Sequence, residues 1–177
     1  MDHADHVRLI AAAVRPGEGG AWADLGAGTG AFTLALADLV GPTATVHAVD
    51  RDRGALAELR ASFVSAVPVA ELRLHVADFT KPLGLRDLDG LVMANSLHFV
   101  EDKVPVVKRL RATLRPGGRF VLVEYDADRG NDWVPYPLSF ETWTELASEA
   151  GLADTRRLGS VPSRFLRRIY SAASVSP

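Results

Sequence analysis

A glycine-rich stretch, Asp24–Gly30 (DLGAGTG), stands between an apolar run and a helical pattern, and it limits the possible folds more than any other part of the sequence. Because glycine has no Cβ, the chain can turn sharply out of a strand and a ligand can approach the backbone closely. The following helix would present its free N–H groups to the same space. The stretch therefore predicts a nucleotide-like cofactor lying across the end of a sheet.

Short apolar strands and helical patterns alternate along the chain. The patterns predict strands at 21–25, 45–50, 72–77, 88–94 and 119–125, and helices at 5–14, 30–40, 52–65, 104–114 and 140–150. Such alternation indicates a parallel sheet with helices on both faces. The tail, 152–172, predicts two more strands around Pro162 with no helix between them. The expected fold is therefore α/β: a Rossmann-like, doubly wound, mostly parallel seven-stranded sheet with an antiparallel C-terminal edge hairpin.

No linker or repeat interrupts the 177 residues, so one domain is expected over 1–177. Residues 1–20 would supply an N-terminal helix as a partial cover, and 21–125 a cofactor-binding core. Residues 126–139 would form a substrate loop, and 140–177 a helix with the terminal hairpin. The segment Leu114–Gly118 (LRPGG) predicts a turn between a helix and a strand.

Composition excludes several classes of protein. The chain has no cysteine, which excludes disulfides, zinc–thiolate sites and thiol nucleophiles. Its formal net charge of −2 does not favour a nucleic-acid partner. The charged N-terminus lacks the apolar core of a signal peptide, and no apolar run is long enough to span a bilayer. We expect a cytoplasmic protein with no metal site and no membrane contact, either a monomer or a homodimer.

Acidic and polar residues stand at the predicted carboxyl ends of the strands, where ligands bind in open α/β sheets. The spacing Gly26-x-Gly28-x-x-Ala31, with Asp50 downstream, is compatible with a nicotinamide dinucleotide. Asp24, however, would repel a pyrophosphate and would suit the ammonium of an amino-acid moiety. Asp78 adds a second acid, suited to an exocyclic amine such as that of adenine. The glycine motif alone leaves both kinds of cofactor open.

Five segments occur in a recognisable order: DLGAGTG at 24–30, VD at 49–50, ADF at 77–79, NSLH at 95–98 and LRPGGRF at 114–120. Together they resemble the class I S-adenosylmethionine-dependent methyltransferases, of the type 11-like group that acts on small molecules. The resemblance covers roughly residues 20 to 125, and the tail by topology only. It implies in-line transfer of a methyl group from S-adenosyl-L-methionine to an unidentified small organic acceptor, leaving S-adenosyl-L-homocysteine. A nicotinamide-dependent oxidoreductase and a non-catalytic cofactor-binding partner protein remain alternatives.

The resemblance also implies a set of cofactor-binding residues: Asp24, Gly26, Ala27, Gly28, Gly30, Asp50, Arg51, Asp78, Phe79 and Asn95. The methionine part of the cofactor would lie against Asp24 and the glycines, with its amino group on the backbone carbonyl of Asn95. The ribose hydroxyls would bind Asp50. The adenine amine would meet Asp78 while Phe79 or Arg51 packs on the ring. Asp24 could instead bond N–H groups of its own turn, and Asp78 could cap the turn after it.

The acceptor side offers fewer signals. His98 follows the fourth strand, and histidine exchanges protons near neutral pH, so it is the candidate general base. Alternatively, it packs in the first turn of a short helix and orients the loop. The predicted acceptor contacts are His6, Tyr125, Trp133 and Tyr136, because aromatic side chains give a pocket large area and a polar handle. Trp133 and Tyr136 could instead anchor their loop.

Overall fold

The computed structural model describes residues 1–66 and 70–177. Within them the helices and strands follow one another as α1 (His3–Ile10), β1 (Gly20–Leu25), α2 (Ala31–Val40), β2 (Ala44–Asp50), α3 (Arg53–Ala66), β3 (Glu71–Val76), β4 (Leu88–Ala94), α4 (Val104–Arg111), β5 (Leu114–Tyr125), α5 (Phe140–Glu149), β6 (Ala153–Pro162) and β7 (Arg168–Val175). A short 3-10 helix, Leu97–Phe99, follows β4.

The described strands form one seven-stranded sheet in the order β3-β2-β1-β4-β5-β7-β6. The first five in this order pair in parallel. β7 runs antiparallel to both β5 and β6. The predicted fold class is confirmed, including the antiparallel hairpin at the edge. The strand order reverses between β1 and β4, the place where open α/β sheets bind their ligands.

Helices cover the two faces of the sheet in separate apolar clusters. α1, α2 and α3 pack on one face around Trp22, while α4 and α5 pack on the other around Phe120 and Trp143. Both tryptophans are fully buried. Burial of a large apolar side chain contributes about 1.5–3 kcal/mol, so the two clusters hold the strand ends in fixed positions.

Helix α1 is shorter and begins earlier than the sequence suggests. It begins after Asp2, whose carboxylate accepts the N–H of Asp5 at 2.9 Å in a capping box. It ends at Ile10, because the next turn tightens: the N–H of Ala13 donates to the Ile10 carbonyl, only three residues back. His3 binds Asp38 of α2 at 2.6 Å between Nε2 and Oδ2, which ties the two helices together.

The LRPGG segment is not the simple helix-to-strand turn that the sequence predicts. α4 ends at Arg111, and β5 already begins at Leu114. The N–H of Gly117 donates to the Ser176 carbonyl at 2.7 Å, and the N–H of Ser176 donates to the Gly118 carbonyl at 2.9 Å. The pairing with β4 shifts from Leu88↔Leu114 to Gly90↔Arg119, so the segment bulges within the strand. Its hydrogen-bonding partner, Ser176, lies much later in the sequence, and local residue patterns do not reveal such a distant contact.

Candidate active site

Two adjoining cavities open at the carboxyl ends of β1, β2 and β4. The first, of about 230 Å³, lies between the glycine loop and helix α1 and includes His6, Asp24, Phe32 and Asn95. The second, of about 590 Å³, extends over the ends of β2 and β3, with the further lining residues Asp50, Arg51, Asp78, Phe79, Ser96 and Phe99. Gly26, Gly28 and Asn95 line both. Their shared walls make them two parts of one site.

The glycines of the loop serve different purposes. Gly26 has φ +81°, and a Cβ there would lie 2.5 Å from the Cβ of Ser96. Gly28 also has positive φ (+52°), but a Cβ there would meet open space. A Cβ on Gly30 would lie 2.6 Å from Cγ of Leu59. Among these three glycines, only Gly28 therefore faces open space, while Gly26 and Gly30 allow the loop to pack on Ser96, which follows β4, and on Leu59 of α3.

The Asp50 carboxylate holds the glycine loop in place. Its Oδ2 accepts the N–H of Gly28 at 2.8 Å, and its Oδ1 accepts the N–H of Asp52 at 2.8 Å. It also lines the second cavity. Each carboxylate oxygen can accept a second hydrogen bond, so this anchoring leaves capacity for ligand hydroxyls. Sequence reasoning had not identified this anchoring role.

Asp78 forms the turn cap that was one of the two interpretations of it from the sequence, and it also lines the second cavity. Its Oδ1 accepts both the N–H and the hydroxyl of Thr80, at 2.8 and 2.7 Å, and these bonds lower the pKa of the carboxyl. Asp78 thus caps the following turn. Oδ2 is left for a ligand in the second cavity, which Phe79 and Arg51 also line.

Asp24 is a buried carboxylate in the first cavity, only 1% exposed. Its partner is the hydroxyl of Thr33, which donates to Oδ2 at 2.6 Å, rather than the N–H groups of its own turn. Burial raises the pKa of Asp24 to about 6, opposed by the Thr33 hydrogen bond and assisted by the negative charge of Asp50. Such a carboxylate gains stability from a cationic ligand group.

Asn95 ends β4 in a left-handed conformation, with φ +50°. Its N–H donates to the Val123 carbonyl at 2.9 Å. Its side-chain oxygen Oδ1 is buried and has no hydrogen-bond partner among residues 1–66 and 70–177. A buried polar atom left in this way costs about 1–3 kcal/mol, so this oxygen suits a ligand donor. Sequence reasoning had considered only the Asn95 backbone carbonyl.

His98 lies in the 3-10 helix after β4 and forms a buried pair with Glu124 of β5. Its Nδ1 is 2.9 Å from Oε2 and 3.1 Å from Oε1, and its backbone N–H donates to Oε1 at 3.1 Å. The carboxylate favours a proton on Nδ1 and leaves Nε2 as the ring's acceptor. His98 therefore holds its loop in place, which is one of the two interpretations of it from the sequence. Its pairing with Glu124 connects the segment after β4 to β5, and the two residues are 26 positions apart in sequence.

Four aromatic residues connect to His98 directly or through Tyr125, and we call them the aromatic patch: Phe99, Tyr125, Tyr136 and Phe165. The His98 ring lies 4.2 Å from the Phe99 ring and 5.5 Å from the Tyr125 ring, measured between centroids. Tyr125 meets Phe165 edge-on at 6.4 Å, and the N–H of Tyr136 donates to the His98 carbonyl at 3.0 Å. Phe99 and Phe165 are 61% and 59% exposed. Neither of these two was identified from the sequence.

The remaining predicted acceptor contacts lie elsewhere. The Trp133 ring is 70% exposed, while the neighbouring Val134 and Leu138 are buried and hold the loop 126–139 in place. His6 packs its ring against Phe32 with 4.8 Å between centroids and lines the first cavity, at the glycine loop. The structure thus brings Tyr125 and Tyr136 to His98, but places His6 with the cofactor-binding residues.

The described residues contain neither a membrane-spanning helix nor a metal-binding cluster. None of the helices in residues 1–66 and 70–177 is long and apolar enough to cross a membrane. Over the same residues, no group of three or more histidine, aspartate or glutamate side chains is arranged to hold a metal ion.

Comparison with known families matches the site to an enzyme class. A family model described as a methyltransferase domain matches residues 23–120, which is more than half of the chain and includes the glycine loop, β2, β3 and β4. The chain belongs to this family. It therefore contains a methyltransferase domain, and membership in the family implies S-adenosylmethionine as the cofactor.

Individual relatives are more distant. The chain is 26% identical over 122 residues to the O-methyltransferase cnsE of Penicillium expansum, a match that covers 68% of this chain and 44% of that protein. The chain thus spans less than half the length of this relative. Its fold is similar to that of YcgJ of Bacillus subtilis, with a TM-score of 0.79 at 15% identity over 98% of this chain and 99% of the other.

An arsenic(III) S-adenosylmethionine methyltransferase of Chlamydomonas reinhardtii has the same fold, with a TM-score of 0.74 at 19% identity over 92% of this chain and 65% of the other. Its name and that of the Penicillium protein describe different acceptors. The fold therefore does not determine the acceptor, which depends on the residues of each site.

Proposed function

We propose that this methyltransferase transfers a methyl group to a hydroxyl of a small, planar organic acceptor by in-line displacement. The observation that carries the donor half of this proposal is the pair of adjoining cavities around Gly28. One contains the buried Asp24 carboxylate and the unpartnered Asn95 oxygen. The other contains the acidic ends of β2 and β3. Taken in order along the two cavities, these hydrogen-bond acceptors match the ammonium group, the ribose and the aminopurine of a methyl donor.

The chain's own residues fit S-adenosylmethionine in that order. Asp24 and Asn95 Oδ1 would accept from the methionine ammonium, and Asp50 from the ribose hydroxyls. Asp78 would accept from the adenine amine through its free Oδ2, and Phe79 would pack on the purine. Gly28 leaves room for close approach to the backbone. These assignments are proposals that the geometry supports.

When bound, S-adenosylmethionine would supply an electrophilic methyl carbon, whose bond to the sulfonium sulfur breaks as the acceptor oxygen takes the methyl group, leaving S-adenosylhomocysteine. The protein's contribution is to hold the acceptor in line and to exclude water. A neutral hydroxyl must also lose its proton, and the Nε2 atom of His98 is the candidate acceptor for that proton. Glu124 would stabilise the resulting imidazolium through Nδ1. The O-methyltransferase activity named for the Penicillium relative agrees with a hydroxyl acceptor.

The aromatic patch is the candidate surface for the acceptor. It combines exposed ring faces with the His98 pair, and it adjoins the second cavity through Phe99. Exposed aromatic rings bind planar, apolar molecules through large contact areas. Residues 1–20 and the loop 126–139 would cover the two ends of the site, as expected from the sequence. The patch favours a planar phenolic acceptor over a charged or extended one.

Ligand titration tests the donor assignment. We expect S-adenosylhomocysteine to bind in isothermal titration calorimetry and NADH not to bind, because the buried Asp24 repels a pyrophosphate. Asp50→Ala should weaken S-adenosylhomocysteine by at least tenfold, since it removes ribose contacts and the loop anchor together. Binding of NADH alone would overturn the proposed function, and unchanged affinity in Asp50→Ala would refute the ribose assignment.

The pH profile of methyl transfer tests the base. With a panel of phenols as probes, His98→Asn should lower kcat and leave a rate that rises with pH as the phenol itself ionises, while Glu124→Gln should lower kcat less. Folding of both variants is checked by thermal unfolding. An unchanged rate and profile in folded His98→Asn would restrict His98 to orienting the loop.

A further inference from the structure

The first cavity has one acidic end and one end that can become cationic. We infer that His6 of helix α1 binds the α-carboxylate of the methionine moiety of the methyl donor, so that α1 is a working part of the donor site. The inference rests on the proposed function, because it assumes that this cavity takes the amino-acid part of the donor. His6, which the sequence analysis assigned to the methyl acceptor, is thereby assigned to the methyl donor instead.

The acidic end of the cavity is suited to the ammonium group. Asp24 keeps Oδ1 for a ligand because Thr33 occupies Oδ2. Asn95 adds a buried oxygen that has no partner within the described part of the chain. The ionised Asp24 carboxylate and the Asn95 Oδ1 atom both accept hydrogen bonds, so this end of the cavity favours an ammonium over a carboxylate. The carboxylate of the same amino acid must therefore lie toward another wall.

His6 provides that other wall. It lines the cavity together with Thr29 and Ala31, at the start of helix α2, where first-turn N–H groups lack helical partners. The His6 ring rests on Phe32 at 4.8 Å, which holds it over the cavity. Among the described residues that line this cavity, His6 is the one whose side chain can carry a positive charge. A carboxylate placed there would receive a charge-assisted hydrogen bond.

The charges around His6 make the binding depend on pH. Burial lowers the pKa of His6, and the positive charges of the Met1 amino group and His3 lower it further, while Asp5 and Asp2 oppose this. Asp24 faces it across the cavity from β1. These effects favour the neutral ring before binding, and the incoming carboxylate favours the protonated ring. At pH values above the range in which Asp24 titrates, affinity for the amino-acid ligand should fall as pH rises, with proton uptake by His6 on binding.

Two ligands separate this contact from the rest of the site. S-adenosylhomocysteine carries the amino-acid group, and 5′-methylthioadenosine has the same nucleoside without it. At pH 6.5, we expect His6→Gln to weaken S-adenosylhomocysteine about tenfold to a hundredfold, as for a lost hydrogen bond between charged groups. Its affinity for 5′-methylthioadenosine should change less than about twofold, because the nucleoside contacts remain. The measurement is calorimetric titration of both ligands.

His3→Gln is the matched control. His3 lies on the same helix, three residues before His6, but it pairs with Asp38 at the surface. Because the positive charge of His3 lowers the pKa of His6, His3→Gln should not weaken S-adenosylhomocysteine relative to 5′-methylthioadenosine, and His6→Lys should restore part of the affinity for S-adenosylhomocysteine. Titrations in buffers of different ionisation enthalpy should show proton uptake in the wild type that is lost in His6→Gln.

The outcomes are distinguishable. Equal weakening of both ligands by His6→Gln would mean that His6 only packs α1 against α2, and would overturn the inference. No change in either ligand would overturn it as well. If wild-type protein binds neither ligand, the proposed donor site itself fails, whatever His6 does.

Discussion

The donor end and the acceptor end of this site are built in different ways. At the donor end, the ligand-facing groups also hold the fold: Asp50 binds the N–H of Gly28, and Gly26 allows the loop to pack on Ser96. At the acceptor end, Phe99 and Phe165 expose most of their rings. Changes at the donor end should therefore alter folding and binding together, whereas changes in the aromatic patch should alter acceptor binding alone.

The largest effect is expected from Gly26→Ala. A Cβ at this position requires an unfavourable φ of +81° and would lie 2.5 Å from the Cβ of Ser96. We expect the free energy of unfolding to fall by about 3 kcal/mol, together with a loss of S-adenosylhomocysteine binding. Chemical denaturation and calorimetry measure the two effects.

Gly17→Ala is its matched control, because Gly17 has a similar φ of +72° but open space around its missing Cβ. It should cost about 1 kcal/mol and leave binding unchanged. Equal losses of stability in the two variants would show that contact with Ser96 does not hold the loop, and would weaken the distinction between the two ends.

Asp24→Asn should separate stability from binding at the donor end. The folded protein binds the Asp24 proton more tightly than the unfolded chain, since burial raises its pKa from 3.8 to about 6. Wild-type stability from this group therefore decreases as pH rises from about 4 to about 6. Asp24→Asn should remove that decrease, raise the free energy of unfolding at pH 7.5 by about 2 kcal/mol, and weaken S-adenosylhomocysteine about tenfold.

Denaturation at a series of pH values checks the first part, and titration at pH 7.5 checks the second. A variant that is less stable than wild type at pH 7.5 would contradict the account of Asp24 as a carboxylate held in the fold for its ligand.

The smallest effect is expected from Phe165→Ala in the aromatic patch. Its ring is 59% exposed, so the free energy of unfolding should change by less than about 0.5 kcal/mol. The KM for a phenolic acceptor should rise about threefold to tenfold, because a stacking surface is lost. The affinity for S-adenosylhomocysteine should stay unchanged.

Val64→Ala is a suitable control, since it shortens an apolar residue that is 70% exposed on helix α3. It should leave KM and stability as they are. Equal KM values in wild type and Phe165→Ala would show that Phe165 does not contact the acceptor, and would weaken the contrast between the two ends of the site.

Sequence reasoning identified the fold, and placed the proposed donor-binding residues at one edge of the sheet, because both depend on local patterns. Hydrophobic periodicity predicted the strands and helices, and a parallel sheet brings the carboxyl ends of its strands together. Asp24, Asp50, Asp78 and Asn95 could thus be assigned to one edge before any coordinates were known. Their binding roles stay predictions, but their common location is confirmed by the two cavities.

The acceptor end could not be predicted in the same way, because its contacts join distant segments. Phe165 meets Tyr125 across 40 positions of sequence, and no periodic pattern marks that contact. His98 was noticed for its chemistry, yet its partner Glu124 looked like one of several polar residues at a strand end. The same limitation explains the misread LRPGG segment, whose partner Ser176 lies far along the chain.

The position of β7 has a consequence for how this protein is made. β7 comes last among the described strands, but in the sheet it lies between β5 and β6 instead of at the edge. While the chain emerges from the ribosome, β5 presents an open row of backbone groups, and β6 has no neighbour to bond with. The sheet can close only after residue 175 has been released. We therefore expect the growing polypeptide to need protection from aggregation until β7 has been synthesised and can pair.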